Sequence, residues 1–169
     1  MPERVREAVF SMIGSLWGSG GSLPALGVAD VFAGSGASGL EALSRGAEHC
    51  VFYESDPRAV RVLNDNIQSL NATSRATVRR RDAWQALAEA PDGRSVELVF
   101  LDPPYADSDD ASPGGRVRQF LGRLREAGGP RPVVVLHHRA RVAFDRVTDD
   151  GWELHRCRQF GTHGITVLL

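Results

Sequence analysis

Residues 28–47 read VADVFAGSGASGLEALSRGA, and this stretch decides the fold. The apolar run VADVFAG predicts a buried strand over 28–34 that ends in glycine. SGLEALSRGA predicts a helix over 38–47, with Gly46 as its C-terminal stop. Between them Gly34, Gly36 and Gly39 have the spacing G-x-G-x-x-G, which lets a backbone turn tightly and come close to a ligand. Strand, glycine turn and helix form the first half of a βαβ unit, so parallel partners are expected downstream.

They are there. HCVFYESD (49–56) predicts a second strand, and PRAVRVLNDNIQSLN (57–71) a helix with proline in its first turn. ATVRRRDAW (76–84) holds a third strand, followed by a short helix WQALAEA (84–90) that Pro91 stops. VELVFL (96–101) is the fourth strand, ADSDDASPGG (106–115) a surface loop, and RVRQFLGRLREAG (116–128) a helix with an arginine-rich outer face. PVVVLHHR (132–139) is the fifth strand. WELHRCRQF (152–160) and GITVLL (164–169), joined by GTHG, predict a terminal antiparallel pair. Upstream, RVREAVFSMIGSLW (4–17) sets Val5, Val9, Met12, Ile13 and Leu16 on one helix face. The pattern predicts an α/β fold: a mainly parallel seven-stranded sheet with a C-terminal antiparallel hairpin and helices on both faces. With no internal repeat and no linker, residues 1–169 are expected to form a single domain.

Composition bounds the chemistry. The chain has 169 residues and a formal net charge of −1, so no global basic field announces a nucleic acid, although a local patch can still steer one. All 20 basic residues are arginine. That excludes a lysine Schiff base, a P-loop lysine and a lysine general base, while leaving a side chain suited to phosphate. Cys50 and Cys157 lack metal-type spacing and are expected to be reduced thiols. The apolar run VFSMIGSLW is short, follows Glu3 and Glu7, and serves better as an amphipathic helix than as a secretory leader. No stretch is long enough to span a bilayer, so a cytoplasmic protein without a membrane partner is expected.

Glu54 stands at the end of the second strand, about twenty residues past the glycine turn, where a carboxylate can accept both hydroxyls of an adenosine ribose. Two cofactor classes share this geometry: nicotinamide or flavin dinucleotides, and S-adenosylmethionine. Asp82, ending the third strand, can accept from an adenine amino group. Asp30, within the first strand, can face a ligand ammonium directly or through water. A buried carboxylate is costly unless paired. A zwitterionic sulfonium suits this many acids better than a pyrophosphate does. The balance favours S-adenosylmethionine, with S-adenosylhomocysteine as product and no metal.

LVFLDPPYAD (98–107) then places Asp102, Pro103, Pro104 and Tyr105 at the carboxyl end of the fourth strand, the edge where open α/β sheets bind ligands. An exocyclic amine on a nucleobase is a poor nucleophile because its lone pair is delocalised into the ring. Acceptors set against its two hydrogens favour the tetrahedral nitrogen and stabilise its developing charge. The Asp102 carboxylate supplies one acceptor and the Pro103 carbonyl another. The prolines fix both in advance, and Tyr105 can stack on the base.

These residues carry a resemblance. VFAGSGASGLEALSRGA, the acid of FYESD, and LVFLDPPY, preceded by RVREAVFSMI, resemble the bacterial small-subunit ribosomal RNA guanine-N2 methyltransferases of the RsmD type. The likeness runs over nearly the whole chain from Arg4. It implies a Rossmann-like class I methyltransferase fold, S-adenosylmethionine as donor, and a guanine of 16S rRNA in the small subunit or its assembly intermediate as acceptor. Gly34, Gly36 and Gly39 would form the cofactor loop with Phe32, Ser35 and Asp30 beside it. Glu54 and Ser55 would hold the ribose, Asp82 and Ala83 the adenine. Asp102 to Tyr105 would hold the target amine and base, and RVREAVF would pack near the methionine end. Family members carry an N-terminal hairpin before an R-P-T-x-x-R-V-R-E segment; this chain starts MPERVREA, so that hairpin is expected to be absent.

Rival readings are a DNA adenine-N6 methyltransferase, which shares the Asp-Pro-Pro-Tyr chemistry but needs a target-recognition region for which no room is visible, a non-catalytic RNA-binding assembly factor, and, more distantly, a dehydrogenase. Arg79, Arg80 and Arg81, and Arg116, Arg118, Arg123 and Arg125, read first as solvated faces and second as RNA contacts. His137 and His138 end the fifth strand near the active edge. His49, His155 and His163 carry no signal. A monomer is expected.

Overall fold

The computed structural model describes residues 1–86, 95–127 and 131–169. Seven strands build one sheet: β1 (Gly27–Val31), β2 (His49–Tyr53), β3 (Ala76–Arg79), β4 (Leu98–Leu101), β5 (Val133–Arg139), β6 (Leu154–Phe160) and β7 (His163–Leu168). Their order is β3-β2-β1-β4-β5-β7-β6. The first five are parallel, and β7 runs antiparallel between β5 and β6. The chain therefore winds outward from β1 in both directions, and the crevice above β1 and β4 is the topological switch point where such sheets take ligands. This is the sheet and hairpin that the sequence pattern predicts.

Side chains of β1 alternate between two cores, as a period of two requires. On one face, α1 (Glu3–Gly14), α2 (Ala37–Ser44) and α3 (Pro57–Ser69) pack Phe10, Ile13, Leu40, Leu43, Leu63 and Ile67 onto Val28, Phe52 and Phe100. On the other, α5 (Arg116–Glu126), Trp84 and the 3-10 turn at Asp145–Asp150 bring Phe120, Leu121, Phe144 and Val147 against Ala29, Val51, Val99 and Leu101. Helix α3 starts as its sequence asks: Pro57 occupies the first turn and the Asp56 carboxylate accepts from Arg58 N–H. The outer strand β6 exposes Arg156 and Arg158, and β3 exposes Arg79, charges that discourage edge-to-edge pairing.

Several boundaries move, each for a local reason. Strand β1 stops at Val31 rather than at 34, because Phe32 takes a left-handed conformation (φ +66°) that breaks the ladder. Strand β3 ends at Arg79, and Asp82 opens a 3-10 turn at Ala83–Gln85 by accepting from Trp84 N–H. The rest of the helix predicted over 84–90, with its stop at Pro91, lies outside the described residues, as does Gly128. The loop predicted over 106–115 begins as a helical turn, α4 (Tyr105–Ser108), launched by the extended Pro104 (ψ 141°). The N-terminal helix predicted to residue 17 tightens into a 3-10 turn at Ser15–Trp17. Among the described residues no helix is long and apolar enough to cross a membrane.

Candidate active site

The glycine turn between β1 and α2 is held by its own backbone. Gly34 N–H donates to Glu54 Oε2 (2.9 Å), Gly36 N–H to the Ala33 carbonyl (2.8 Å), and Gly39 N–H to Asp30 Oδ2 (2.8 Å). Gly36 (φ +82°) and Gly39 have no room for a side chain: a Cβ at either would drive into Leu63 or Phe52. Gly34 differs. Its φ is +55°, but no other atom lies within 4 Å of where its Cβ would be, so its open side is free to meet a ligand. Ser35 is exposed, its carbonyl fixed by Asn66 Nδ2 (2.9 Å).

Glu54 joins the turn to the next strand. Its Oε1 accepts from Ser55 N–H (2.8 Å) and Asp56 N–H (2.9 Å) while Oε2 takes Gly34. A carboxylate has about four lone-pair sites, so acceptor capacity remains. Asp30 is not among the residues that line the cavity beside the turn. It is 2% exposed, sits behind the turn under α2, and spends one oxygen on Gly39. Burial pushes its carboxyl up to about 7, against the Gly39 hydrogen bond. Its visible role is to brace the start of α2.

Beside the turn, reached through Phe32 and Glu54, lies a cavity of about 660 Å³. Its wall is formed by Phe32, Glu54, Ser55, Asp102, Pro103, Pro104, Tyr105, His137 and His163, with Met1 and Pro2 ahead of α1. Glu54 and Asp102 bring carboxylates to it, and among the described residues no arginine belongs to its lining. Asp82 and Ala83 stand outside it: Asp82 Oδ1 caps the next turn at Trp84 N–H (3.0 Å), and Ala83 is buried. The Phe32 ring links the two regions by packing edge-on against Trp84 (4.8 Å between centroids). Among the described residues no group of three or more His, Cys, Asp and Glu is placed to hold a metal ion.

Asp102 is the centre of a network. Its backbone N–H donates to the Val31 carbonyl (3.2 Å), which ties β4's end to β1. Oδ2 accepts from the Met1 amino group (2.7 Å), and Oδ1 lies 2.5 Å from His137 Nδ1. Burial pulls its carboxyl upward, but the hydrogen bond from His137 and the Met1 ammonium outweigh that and hold it below the usual carboxylate value. His137 Nε2 is 2.9 Å from His163 Nδ1, which is also 3.0 Å from the Tyr105 hydroxyl. The Arg139 guanidinium covers one face of the Tyr105 ring (4.3 Å).

Sequence reasoning found no signal in His163 and gave His137 only its place near the active edge. The antiparallel register that sets Arg139 opposite His163, and His137 opposite Ile165, brings both imidazoles to the corner. His138 is the structural one. It is buried, with Nδ1 on the Arg139 carbonyl (2.8 Å) and Nε2 on Thr166 (2.9 Å), and burial holds its imidazole below the usual value.

Residues 1–168 match the protein family described as "Conserved hypothetical protein 95". The Escherichia coli (strain K12) protein named Ribosomal RNA small subunit methyltransferase D is 30% identical over 155 residues, 91% of this chain and 70% of that protein. The chain belongs to the RsmD family. YlbH of Bacillus subtilis, which provisionally carries the name of an rRNA methyltransferase, is 42% identical over 106 residues, 62% of this chain and 54% of its own length. The match thus spans about half the length of that relative. Among solved structures, a conserved hypothetical protein from Streptococcus pyogenes superposes with a TM-score of 0.77 at 27% identity, covering 96% of this chain and 93% of that one. The same fold is found in an Escherichia coli protein that provisionally carries the name of a methyltransferase, which superposes with a TM-score of 0.72 at 26% identity, covering 98% of this chain and 84% of that one.

Proposed function

We propose that the chain transfers a methyl group from S-adenosylmethionine to the exocyclic N2 of a guanine in 16S ribosomal RNA. The observation that carries this reading is the Asp102-Pro103-Pro104-Tyr105 corner lining the same cavity as Glu54, the carboxylate that accepts from the glycine turn at Gly34 N–H. Membership of a family whose E. coli relative is named as a small-subunit rRNA methyltransferase supports the substrate class. All seven strands joining one sheet supports reading the chain as one methyltransferase unit, and we propose that it works as a monomer in the cytoplasm.

The cavity's chemistry fits the donor. A dinucleotide needs free backbone N–H groups for its pyrophosphate, yet those of Gly34, Gly36 and Gly39 are already taken, two of them by carboxylates. An anionic lining without arginine suits a sulfonium instead. Bound S-adenosylmethionine supplies a methyl group already activated for transfer, so neither a metal nor a protein nucleophile is required. Glu54 would hold the ribose, Phe32 and Ser55 would line it, and Gly34 would let the backbone come close. Ser35, Gly36, Gly39 and Asp30 would shape the loop, and Asp82 and Ala83 would meet the adenine beyond Phe32.

The chain's own residues then deal with the acceptor. Asp102 Oδ2 already binds an amino group, and the Pro103 carbonyl would take the second N–H of the guanine amine. Together they favour the tetrahedral nitrogen and stabilise its developing positive charge. Tyr105 keeps one ring face for the base, the other being covered by Arg139. The test is labelled methyl transfer to unmodified small subunits, naked 16S rRNA and double-stranded DNA. Label in RNA guanine is expected; label in DNA adenine would replace this reading with its nearest rival.

A further inference from the structure

The C-terminal hairpin does more than finish the sheet. Asp102 at the end of β4, His137 on β5, His163 on β7 and Tyr105 on α4 form a continuous chain with steps of 2.5, 2.9 and 3.0 Å. The first and last members are the groups assigned above to the target amine and the target base. We propose that His137 and His163 are positioning residues that lock Asp102 and Tyr105 into one hydrogen-bonded unit, and that methyl transfer requires this imidazole pair without an extra proton.

The proton inventory supplies the argument. A contact of 2.5 Å between His137 Nδ1 and Asp102 Oδ1 needs a proton between the two atoms. With the pair neutral, one assignment satisfies all three contacts. His137 Nδ1–H donates to Asp102, and His163 Nδ1–H is shared between His137 Nε2 and the Tyr105 oxygen. Asp102 is then an oriented anion, with Oδ1 on His137 and Oδ2 on the Met1 amino group that a target amine would replace. A further proton on His137 reverses the central bond: Nε2–H now donates to His163, and the Tyr105 hydroxyl must compete for the same nitrogen lone pair. It also sets a full positive charge against Asp102 and so weakens its pull on the amine as that nitrogen becomes positive.

The pair sits in a defined electrostatic setting. His137 is 4% exposed and faces Asp102 from β4, the Met1 amino group ahead of α1, His163 from β7 and Tyr105 from α4, with His138 and Arg139 next along its own strand. Burial comes first among the causes that hold the His163 imidazole below its usual value, with the Met1 amino group adding to it and Asp102 opposing it. Because the two imidazoles stack at 28° and 5.1 Å, a shift of one moves the other.

This inference rests on the methyl-transfer reading, and its test separates the two. Single-turnover transfer to 16S rRNA is followed against pH for the wild type, His137→Ala, His137→Asn and His163→Ala. The wild-type rate should climb with pH to a plateau. His137→Ala should lower kcat on the order of 10–100-fold, the scale of a misplaced reacting group, with S-adenosylmethionine binding unchanged. Asparagine donates to Asp102 without titrating, so His137→Asn should recover most of that loss and flatten the acid limb. His163→Ala should raise KM for RNA as well, because Tyr105 loses its anchor. An active wild type with His137→Asn keeping the same acid limb, or His137→Ala keeping full kcat, overturns the inference alone. A wild type that labels no RNA at any pH overturns the parent reading and this one with it. Nitrogen-15 spectra of the histidine rings check the pairing without substrate. Coupled titration of His137 and His163, altered by Asp102→Asn, is expected; independent titration contradicts the unit.

Discussion

At the scale of single residues, the proposed reading separates holding the cofactor from activating the acceptor. Asp102 belongs to the second task, so Asp102→Ala is expected to abolish transfer while S-adenosylmethionine affinity, read by calorimetry, stays near normal. Parallel loss of both would show that the division is wrong. Asp30 gives a stability prediction. Its carboxyl keeps its proton up to about pH 7 in the folded chain, against 3.8 as the ordinary value. The folded state therefore binds more protons than the unfolded state between these values, and stability falls as pH rises through that window. Asp30→Asn still offers Gly39 an oxygen but cannot ionise. Its melting temperature should exceed the wild type's at pH 8, with the gap closing near pH 5. A gap that widens on acidification would contradict the sign.

At the scale of elements, the turn between β1 and α2 distinguishes a glycine needed by the fold from one needed by the ligand. Gly39→Ala pushes a methyl group into Phe52 and Cys50, so it should destabilise by about 1–3 kcal/mol, the range for overpacking a core, visible as a lower denaturation midpoint. Gly34→Ala meets open space and bears only the left-handed backbone, roughly 1–2 kcal/mol. It should fold and yet bind S-adenosylmethionine more weakly. If both variants bind cofactor as the wild type does, the turn is not the cofactor loop. The strands and the turn were legible because apolar runs, glycines and Pro57 act locally. The place where β1 ends was not, because Phe32 adopts a conformation that nothing in its own chemistry demands. His163 was hidden for a different reason. Its importance comes from an antiparallel register between β5 and β7 that joins residues 26 apart, and no local pattern encodes that pairing.

At the scale of the whole molecule, charge is sorted by location rather than by total. The cavity is lined by carboxylates and imidazoles, while the described arginines lie outside its lining: Arg79 ending β3 with Arg80 and Arg81 just past it, Arg116 on α5, and Arg139 and Arg141 at the end of β5. A net charge of −1 conceals this arrangement, which is why composition alone gave no sign of a polyanionic partner. If those arginines meet RNA phosphates, raising salt from about 50 to about 200 mM should weaken RNA binding at least tenfold and leave S-adenosylmethionine binding unaffected. Equal salt sensitivity of both ligands would argue against an RNA face built on charge.

The most direct measurement of the central claim is single-turnover transfer from labelled S-adenosylmethionine to 16S rRNA by the wild type and Asp102→Ala, followed by digestion to nucleosides. The account predicts N2-methylguanosine with the wild type and no product with the variant, although both hold the cofactor equally well. Label in any other nucleoside, or transfer by Asp102→Ala at the wild-type rate, would contradict it.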